Sequence, residues 1–457
     1  MPMTYDTFLA SKAKLAPSVG IRVDDADLHP DAFPFQRDIT RWALQKGRSA
    51  IFATTGMGKT LMQLMWADKA AERVLILAPL GVARQTAREG ARWGIPATYA
   101  RSMADSPEHG ITITNYEMVD HFDPSAFGAV VLDESGILKS FTGKTRSKLI
   151  ELFADTPLKL CCTATPAPND IAEIANHAEF LGIMTRVEML ASFFVHDDDG
   201  WRLKRPARKP FFRWLASWAM SINRPSDIGY SDDGYILPPL AVHTHFVESD
   251  FVPSGQLFSL GLKGITERAS VRKGTVDQRV IVAADLIGTA ETWIAWCGRN
   301  DEGDKLSALV DGAVLVEGAQ SQDMKALRLA EFADGESRVL VTKPSIAGFG
   351  MNLQVCSRMV FVGLSDSWEQ YFQAIRRCWR FGQTNPVEVH IVLSELERPI
   401  YENVMRKEAE AAKMAEELIA HVAEFERAEI GAGRARDTYE PRITMTIPPW
   451  LEVAPCM

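Results

Sequence analysis

Apolar residues in this chain fall into two spacings, and the alternation between them predicts the architecture. Short runs at 49–52, 74–78, 111–114, 129–132 and 158–162 are almost unbroken by polar residues, which is the pattern of strands buried on both faces. Further runs of this kind follow at 292–296, 338–342 and 359–362. Between them, apolar residues recur at helical spacing, as in Ile39, Trp42 and Leu44, or Leu61, Leu64 and Met65. Strands alternating with helices imply a parallel sheet covered on both sides, whose reactive groups gather at the carboxyl ends of the strands. The residues that follow the runs are polar and chemically suggestive: Asn115-Tyr116-Glu117, Asp133-Glu134 and Thr163-Ala164-Thr165-Pro166. From 398 to 429 a segment rich in Ala, Glu and Lys places Ile400, Val404, Ala411, Ala415, Leu418, Val422 and Phe425 near helical spacing. It predicts one long helix packed across the rest of the molecule, ended by Gly431-Ala432-Gly433, with a coiled-coil partner as the alternative.

Ala53-Thr54-Thr55-Gly56-Met57-Gly58-Lys59-Thr60 sits at the first strand-to-helix turn. Gly56 and Gly58 let backbone N–H groups approach phosphate oxygens, and the helix that follows presents its positive N-terminus to the same anion. Lys59 would reach the terminal phosphates and Thr60 would ligate Mg²⁺. The first glycine of the G-x-x-x-x-G-K-[ST] pattern is Ala53 here, and a glycine-rich turn without a ligand is the plain alternative. A second Gly143-Lys144-Thr145 follows no strand and reads as a decoy. Gln36, about twenty residues upstream, suits the donor and acceptor edges of adenine. Asp133 is placed to hold the metal and Glu134 to take a proton from an attacking water, against the plainer reading of a solvated strand end.

Composition narrows the class. Hydrophobic residues make up 46% and charged residues 24% of 457 residues, which describes a globular chain of two or three domains. No leader-like or membrane-length apolar run occurs, so an intracellular protein without membrane contact is expected. The six cysteines form no C-x-x-C pair and read as buried thiols. A net charge of −9 argues against a protein that coats nucleic acid indiscriminately. One local stretch runs the other way: 201–213 holds six basic residues and no acidic one. Lys204, Arg205 and Lys209 are candidate phosphate contacts, whereas Phe211, Trp214, Leu215 and Trp218 follow the spacing of a buried helix face.

Gln36, the Gly56-Met57-Gly58-Lys59-Thr60 loop, Asp133-Glu134-Ser135-Gly136 and Thr163-Ala164-Thr165-Pro166, in that order, resemble the first-lobe motifs of superfamily-two helicases. The second half extends the resemblance with Glu317-Gly318-Ala319-Gln320, with Ala347-Gly348-Phe349-Gly350-Met351-Asn352-Leu353, and with 373–383. That last string is similar to the Q-x-x-x-R-x-x-R-x-G-Q motif of the Swi/Snf-type branch of double-stranded DNA translocases, in a compact form like those of bacteria and phages. The chain departs from the pattern in three places. Ser135-Gly136 replaces the Ala-His of a DEAH box, Trp379 stands where His is common, and Arg376 where Asp is common.

The resemblance implies two RecA-like lobes of P-loop NTPase type, with ATP and Mg²⁺ as cofactors. Thr55, Gly56, Gly58, Lys59, Thr60, Gln36 and Gly350 would contact nucleotide, and Thr60 and Asp133 the metal. Glu134 would act as base, Arg377 and Arg380 as arginine fingers on lobe closure, and Thr163 and Thr165 would couple the nucleotide state to the grip on DNA. The expected division is a first lobe at 1–184, a basic and aromatic insertion with linker at 185–240, a second lobe at 241–396, and a C-terminal helix and tail at 397–457. The tail, with 447–451, is a candidate contact for a protein partner. The expected activity is an ATP-driven motor on duplex DNA; the alternatives are a strand-separating DNA or RNA helicase, or an ATP-dependent switch that acts without nucleic acid.

Overall fold

The computed structural model describes residues 15–139, 143–167, 170–197, 200–248, 271–347, 352–365 and 367–434. Gly350, residues 256–270, Cys456 and the tail from 435 onward lie outside the described residues.

The strands are β1 (Arg48–Ala53), β2 (Arg73–Ala78), β3 (Ala97–Tyr99), β4 (Gly110–Asn115), β5 (Ala129–Asp133), β6 (Leu158–Thr163), β7 (Phe194–Asp197), β8 (Gly200–Leu203), β9 (Ala219–Ile222), β10 (Leu240–Val247), β11 (Trp293–Cys297), β12 (Ala313–Val316), β13 (Val339–Thr342), β14 (Arg358–Val362) and β15 (Val387–Ser394). The helices are α1 (Pro34–Lys46), α2 (Lys59–Ala70), α3 (Leu80–Arg92), α4 (Lys144–Leu152), α5 (Ile174–Leu181), α6 (Arg186–Phe193), α7 (Arg208–Ala216), α8 (Val276–Ile287), α9 (Asn300–Leu309), α10 (Gln322–Ala333), α11 (Pro344–Ala347), α12 (Trp368–Ile375) and α13 (Arg398–Arg434).

Two sheets carry the fold. The first has the order β3-β4-β2-β5-β6-β1-β9 and the second β10-β15-β14-β11-β13-β12, and every ladder in both is parallel. This is the expected pair of RecA-like α/β lobes. Alternate residues of one strand enter opposite cores. In β5, Val130 and Leu132 pack on one face and Ala129 and Val131 on the other; in β11, Ile294 and Trp296 oppose Trp293, Ala295 and Cys297. Burial on both faces is why these strands read as continuous apolar runs rather than alternating ones.

The segment expected as an insertion is knitted into the first lobe. β7 and β8 form a separate antiparallel hairpin, whose Phe194, Trp201 and Leu203 pack on the same core. β9 joins the first sheet in parallel beside β1, with Ala50 opposite Ala219 and Ala53 opposite Ile222. The first sheet therefore extends well beyond residue 184. Phe211, Trp214, Leu215 and Trp218 are fully buried in its core, as their spacing predicts. The linker at 231–239 holds no strand or helix, and β10 opens the second sheet at Leu240.

The long C-terminal helix is present and runs 37 residues, about 55 Å at 1.5 Å per residue. The glycines at 431 and 433 do not end it; it continues to Arg434. Its apolar face is consumed by the protein's own lobes, with Ile400 and Val404 in the second core and Leu418, Val422 and Ile430 in the first. Polar anchors hold the first-lobe half: Lys46 pairs with Glu429 at 2.8 Å, Arg208 with Glu417 at 3.1 Å, and Arg427 donates to Asp227 O at 3.1 Å. Glu426 Oε1 accepts from Ser221 N at 2.6 Å, so the helix caps the open edge of β9.

Glu426 is fully buried, and desolvation holds its carboxyl well above the usual range. The folded state keeps a proton that the unfolded chain releases above about pH 4.5, so this residue lowers stability as pH rises from there. Each unit of difference costs about 1.4 kcal/mol. Glu426→Gln retains the acceptor for Ser221 N without a titrating group. Its denaturant midpoint is expected to exceed that of the parent at pH 8 and to converge with it near pH 4.5; a variant less stable at pH 8 would contradict this.

A second buried ionic group sits in the second lobe. Arg279, Glu302 and Glu397 have no exposed side-chain surface. Arg279 Nη1 lies 2.8 Å from Glu302 Oε1, and its Nε lies 3.5 Å from Glu397 Oε2. Glu302 Oε2 accepts from Gly298 N and Arg299 N, at 2.9 and 3.0 Å, and so pins the turn after β11 to α9.

The five described cysteines are buried and free. Among the described residues no helix is long and apolar enough to cross a membrane.

Candidate active site

The glycine-rich loop connects β1 to α2, at the carboxyl end of a strand that lies between β6 and β9 in the first sheet. Gly56 and Gly58 have φ of 95° and 82°, values that disfavour any side chain. Space reinforces the requirement: a Cβ at Gly58 would meet Gln36 Nε2 at 2.2 Å, and one at Gly56 would meet Phe381 N at 2.9 Å. Lys59 opens α2 and folds back over the loop, with Nζ donating to Ala53 O at 2.7 Å and Thr54 O at 3.3 Å. Burial lowers its pKa, and Glu134 and Asp133 oppose that shift. Thr55 and Thr60 are half-buried along the same turn.

Gln36 lies in the first turn of α1 and is buried. Its Oε1 accepts from Phe33 N at 3.0 Å and its Nε2 donates to Met57 O at 3.0 Å. The amide thus ties α1 to the loop, and one lone pair and one hydrogen remain beyond those two bonds.

Asp133 ends β5, is buried, and faces the same loop. Its Oδ2 accepts from Gln63 Nε2 at 3.2 Å and its Oδ1 from Glu134 N at 3.0 Å. Desolvation, then the neighbouring Glu134 carboxylate, raises its pKa to about 7. Glu134 has φ of 51°, the one non-glycine residue at positive φ among the described residues. Such a backbone costs on the order of 1–3 kcal/mol and persists only where its surroundings enforce it. Part of the enforcement is visible: Tyr116 OH donates to Asp133 O at 2.7 Å, and Ser135 Oγ lies 3.1 Å from Nε2 of the buried His177. Burial lowers the His177 pKa to about 4, so the ring is neutral at pH 7.

Thr163 ends β6, and its Oγ1 accepts from Thr165 N at 3.2 Å. Both threonines are buried. A side chain at Gly136 would enter a space bounded by Thr163 Oγ1, Thr165 O and Glu369 of the second lobe. Glu369 also forms an ion pair with Lys139, which links the segment after Asp133-Glu134 to α12.

Arg377 and Arg380 follow α12 and point back towards the first lobe. Arg377 is buried, with Nε donating to Gln373 O at 2.9 Å and Nη2 to Gln373 Oε1 at 2.7 Å. Burial, reinforced by Arg380, lowers its pKa to about 10 against the pull of Glu134 and Asp133. Burial also lowers Arg380, whose charge in turn acts on Lys59. Residues more than 300 positions apart in the chain thus share one electrostatic environment. Gln383 holds the loop behind the arginines: its Nε2 donates to the carbonyls of Gln354, Cys356 and Cys378, and its Oε1 accepts from Thr384 N and Asn385 N.

The basic candidates lie elsewhere, around the hairpin and α7. Arg205 and Lys209 are exposed, whereas Lys204 Nζ donates to Ala191 O at 2.8 Å. Gly143-Lys144-Thr145 forms the start of α4, with Gly143 as its N-cap at a negative φ, apart from the sheet-end loop.

Several contributors were not legible as such in the sequence: Gln63, His177, Phe381 and the Lys139–Glu369 pair. Gln63 had a signal, since it is a polar residue on the buried side of α2.

No curated protein matches the chain. Residues 276–382, from the start of α8 through the loop that carries Arg377 and Arg380, match the helicase conserved C-terminal domain, which indicates a superfamily-two helicase-like protein.

Proposed function

We propose that this protein is an ATPase that moves along double-stranded DNA. The observation that carries the reading is the convergence of Lys59, Asp133 and Glu134 from the first lobe with Arg377 and Arg380 from the second: the charges of Asp133, Glu134 and Arg380 act on both Lys59 and Arg377. ATP and Mg²⁺ are the general cofactors of helicase-family motors. The donor set fits them: two left-handed glycines and a helix N-terminus form an anion cradle, and a hydroxyl at Thr60 with a carboxylate at Asp133 suits a hard cation. When bound, the metal would supply charge neutralisation on the transferred phosphoryl group.

The chain's own residues do the rest. Lys59 would leave the carbonyls of Ala53 and Thr54 for a phosphate. Glu134, held out from the strand end by its positive φ, would accept the proton of the attacking water. Arg377, oriented by Gln373, and Arg380 would stabilise the charge that develops on the phosphoryl oxygens. Gln36 would use its remaining donor and acceptor on adenine, and Thr163 and Thr165 would report the state of this site to the second lobe through Gly136 and Glu369. Gly350 is assigned to the nucleotide on sequence alone.

Steady-state ATP hydrolysis without polymer, with duplex DNA, with single-stranded DNA and with RNA tests the proposal. Stimulation by duplex DNA above all others is expected. Preference for single strands or RNA would favour a strand-separating helicase, and equal rates in all four would favour a switch that needs no nucleic acid.

Arg205 and Lys209, with Lys204, are proposed to contact the phosphate backbone. Replacing all three by Ala is expected to weaken duplex binding and to lower the slope of log affinity against log salt by about 2 to 3, roughly 0.9 per lost phosphate contact. The smaller value holds if Lys204 stays committed to Ala191 O. A salt titration of binding that gives the parental slope would remove this surface from consideration.

A further inference from the structure

We propose that the cavity enclosed by the two lobes and α13 binds a planar heteroaromatic molecule with a lactam edge, that is, a ring carbonyl beside a ring N–H. The cavity measures about 440 Å³, within the range of roughly 300–1,000 Å³ typical of small-molecule sites. Its walls are mostly apolar, with Phe52 and Ile222 from the first lobe, Phe372 and Trp379 from the second, and Ala415 and Leu418 from the C-terminal helix. The proposed catalytic side chains Lys59, Asp133, Glu134, Arg377 and Arg380 do not line it.

Three charged residues line the cavity, Arg376, Glu408 and the exposed Glu416, and the first two give it a chemical preference. Arg376 is partly buried, with its Cζ over the rings of Phe372 and Trp379, at 5.1 and 4.4 Å from the ring centroids. Its Nε has no hydrogen-bond partner and almost no accessible surface, so only the outer guanidinium nitrogens can donate to an occupant. Desolvation lowers this guanidinium to about 10, opposed by the charge of Glu408, and burial raises the Glu408 carboxyl in turn. Glu408 supplies the complementary acceptor on the same cavity. A carbonyl oxygen satisfies the first, an adjacent N–H the second, and the ring lies against the aromatic and alanine walls at no cost in net charge. Arg376 and Trp379 are also two of the positions at which this chain departs from the motif it resembles, so the chemistry of the cavity belongs to this chain rather than to the motif.

Thr54, Thr55, Gly56 and Met57 form part of one wall. An occupant would therefore oppose relative movement of the lobes and slow turnover. That consequence rests on the proposed ATPase activity, whereas binding can be measured without nucleotide or nucleic acid.

The test is isothermal titration of the purified full chain with 2-quinolinone and with N-methyl-2-quinolinone, which keeps the carbonyl and loses the N–H. One molecule of 2-quinolinone per chain is expected, with the N-methyl compound at least tenfold weaker. Arg376→Gln and the cavity-filling Ala415→Trp are each expected to weaken 2-quinolinone at least tenfold. No binding by the parent chain, equal binding of the two compounds, or parental affinity in both variants would overturn the proposal.

Discussion

Glu134→Gln is expected to lower ATP turnover by about 10²- to 10⁴-fold while nucleotide affinity stays within a fewfold of the parent. The asymmetry follows from geometry. Glu134 sits past the end of β5 on a left-handed backbone, and Gln preserves its shape while removing the basic oxygen. Lys59 and the loop glycines, which make the phosphate cradle, are untouched by the change. Single-turnover hydrolysis together with equilibrium binding of a fluorescent ATP analogue separates the two quantities. A variant that binds weakly and turns over in proportion would assign Glu134 to binding rather than to proton transfer, and a variant with parental turnover would remove it from the mechanism.

The largest effect on stability is expected from Arg279→Ala, with a loss of about 3–5 kcal/mol. The guanidinium is enclosed by Glu302 and Glu397, both without exposed side-chain surface, and it also bonds Thr275 Oγ1 and Arg272 O. Its removal leaves Glu302 without a cationic partner in the interior of the second lobe and Glu397 with Arg272 alone, at 3.5 Å. Replacing Arg279 and Glu302 together by Ala is expected to cost less than the sum of the two single Ala changes, because neither charge then waits for the other. Urea unfolding of the four proteins, followed by tryptophan fluorescence, provides the cycle. A single-variant loss below about 1 kcal/mol would mean that water or local rearrangement compensates the buried charges.

The contrast between what could and could not be read from the chain has a physical basis. Strands buried on both faces carry their signature in a few adjacent residues, so β1, β2, β4, β5, β6, β11, β13 and β14 were legible as apolar runs. The loop at Gly56 and Gly58 was legible because left-handed backbone restricts residue choice locally. β9 was not, because Ala219-Met220-Ser221-Ile222 follows directly on an aromatic helix, and its place beside β1 is decided by pairing across 169 positions, as Ala50 opposite Ala219 shows. The helix that passes Gly431 and Gly433 departs from expectation for a related reason: burial of Ile430 against the first lobe offsets the weak propensity of the two glycines.

Side-chain partnerships were the least legible. Gln36 was assigned to adenine from its distance to the loop, yet both ends of its amide also serve the fold. Arg376 reads in the sequence only as a departure from a motif, and the rings on either side of it and the cavity it borders give it separate chemistry.

The cap that Glu426 places on β9 has a consequence for how the molecule is made. The first lobe begins near the N-terminus, but its outermost strand emerges from the ribosome only after residue 222, and the carboxyl that covers that strand some two hundred residues later. During synthesis the edge of the first sheet stands open while the whole second lobe is being translated. A chain cut at the linker would keep that open edge permanently, and would meet other copies of itself as a strand in search of a neighbour.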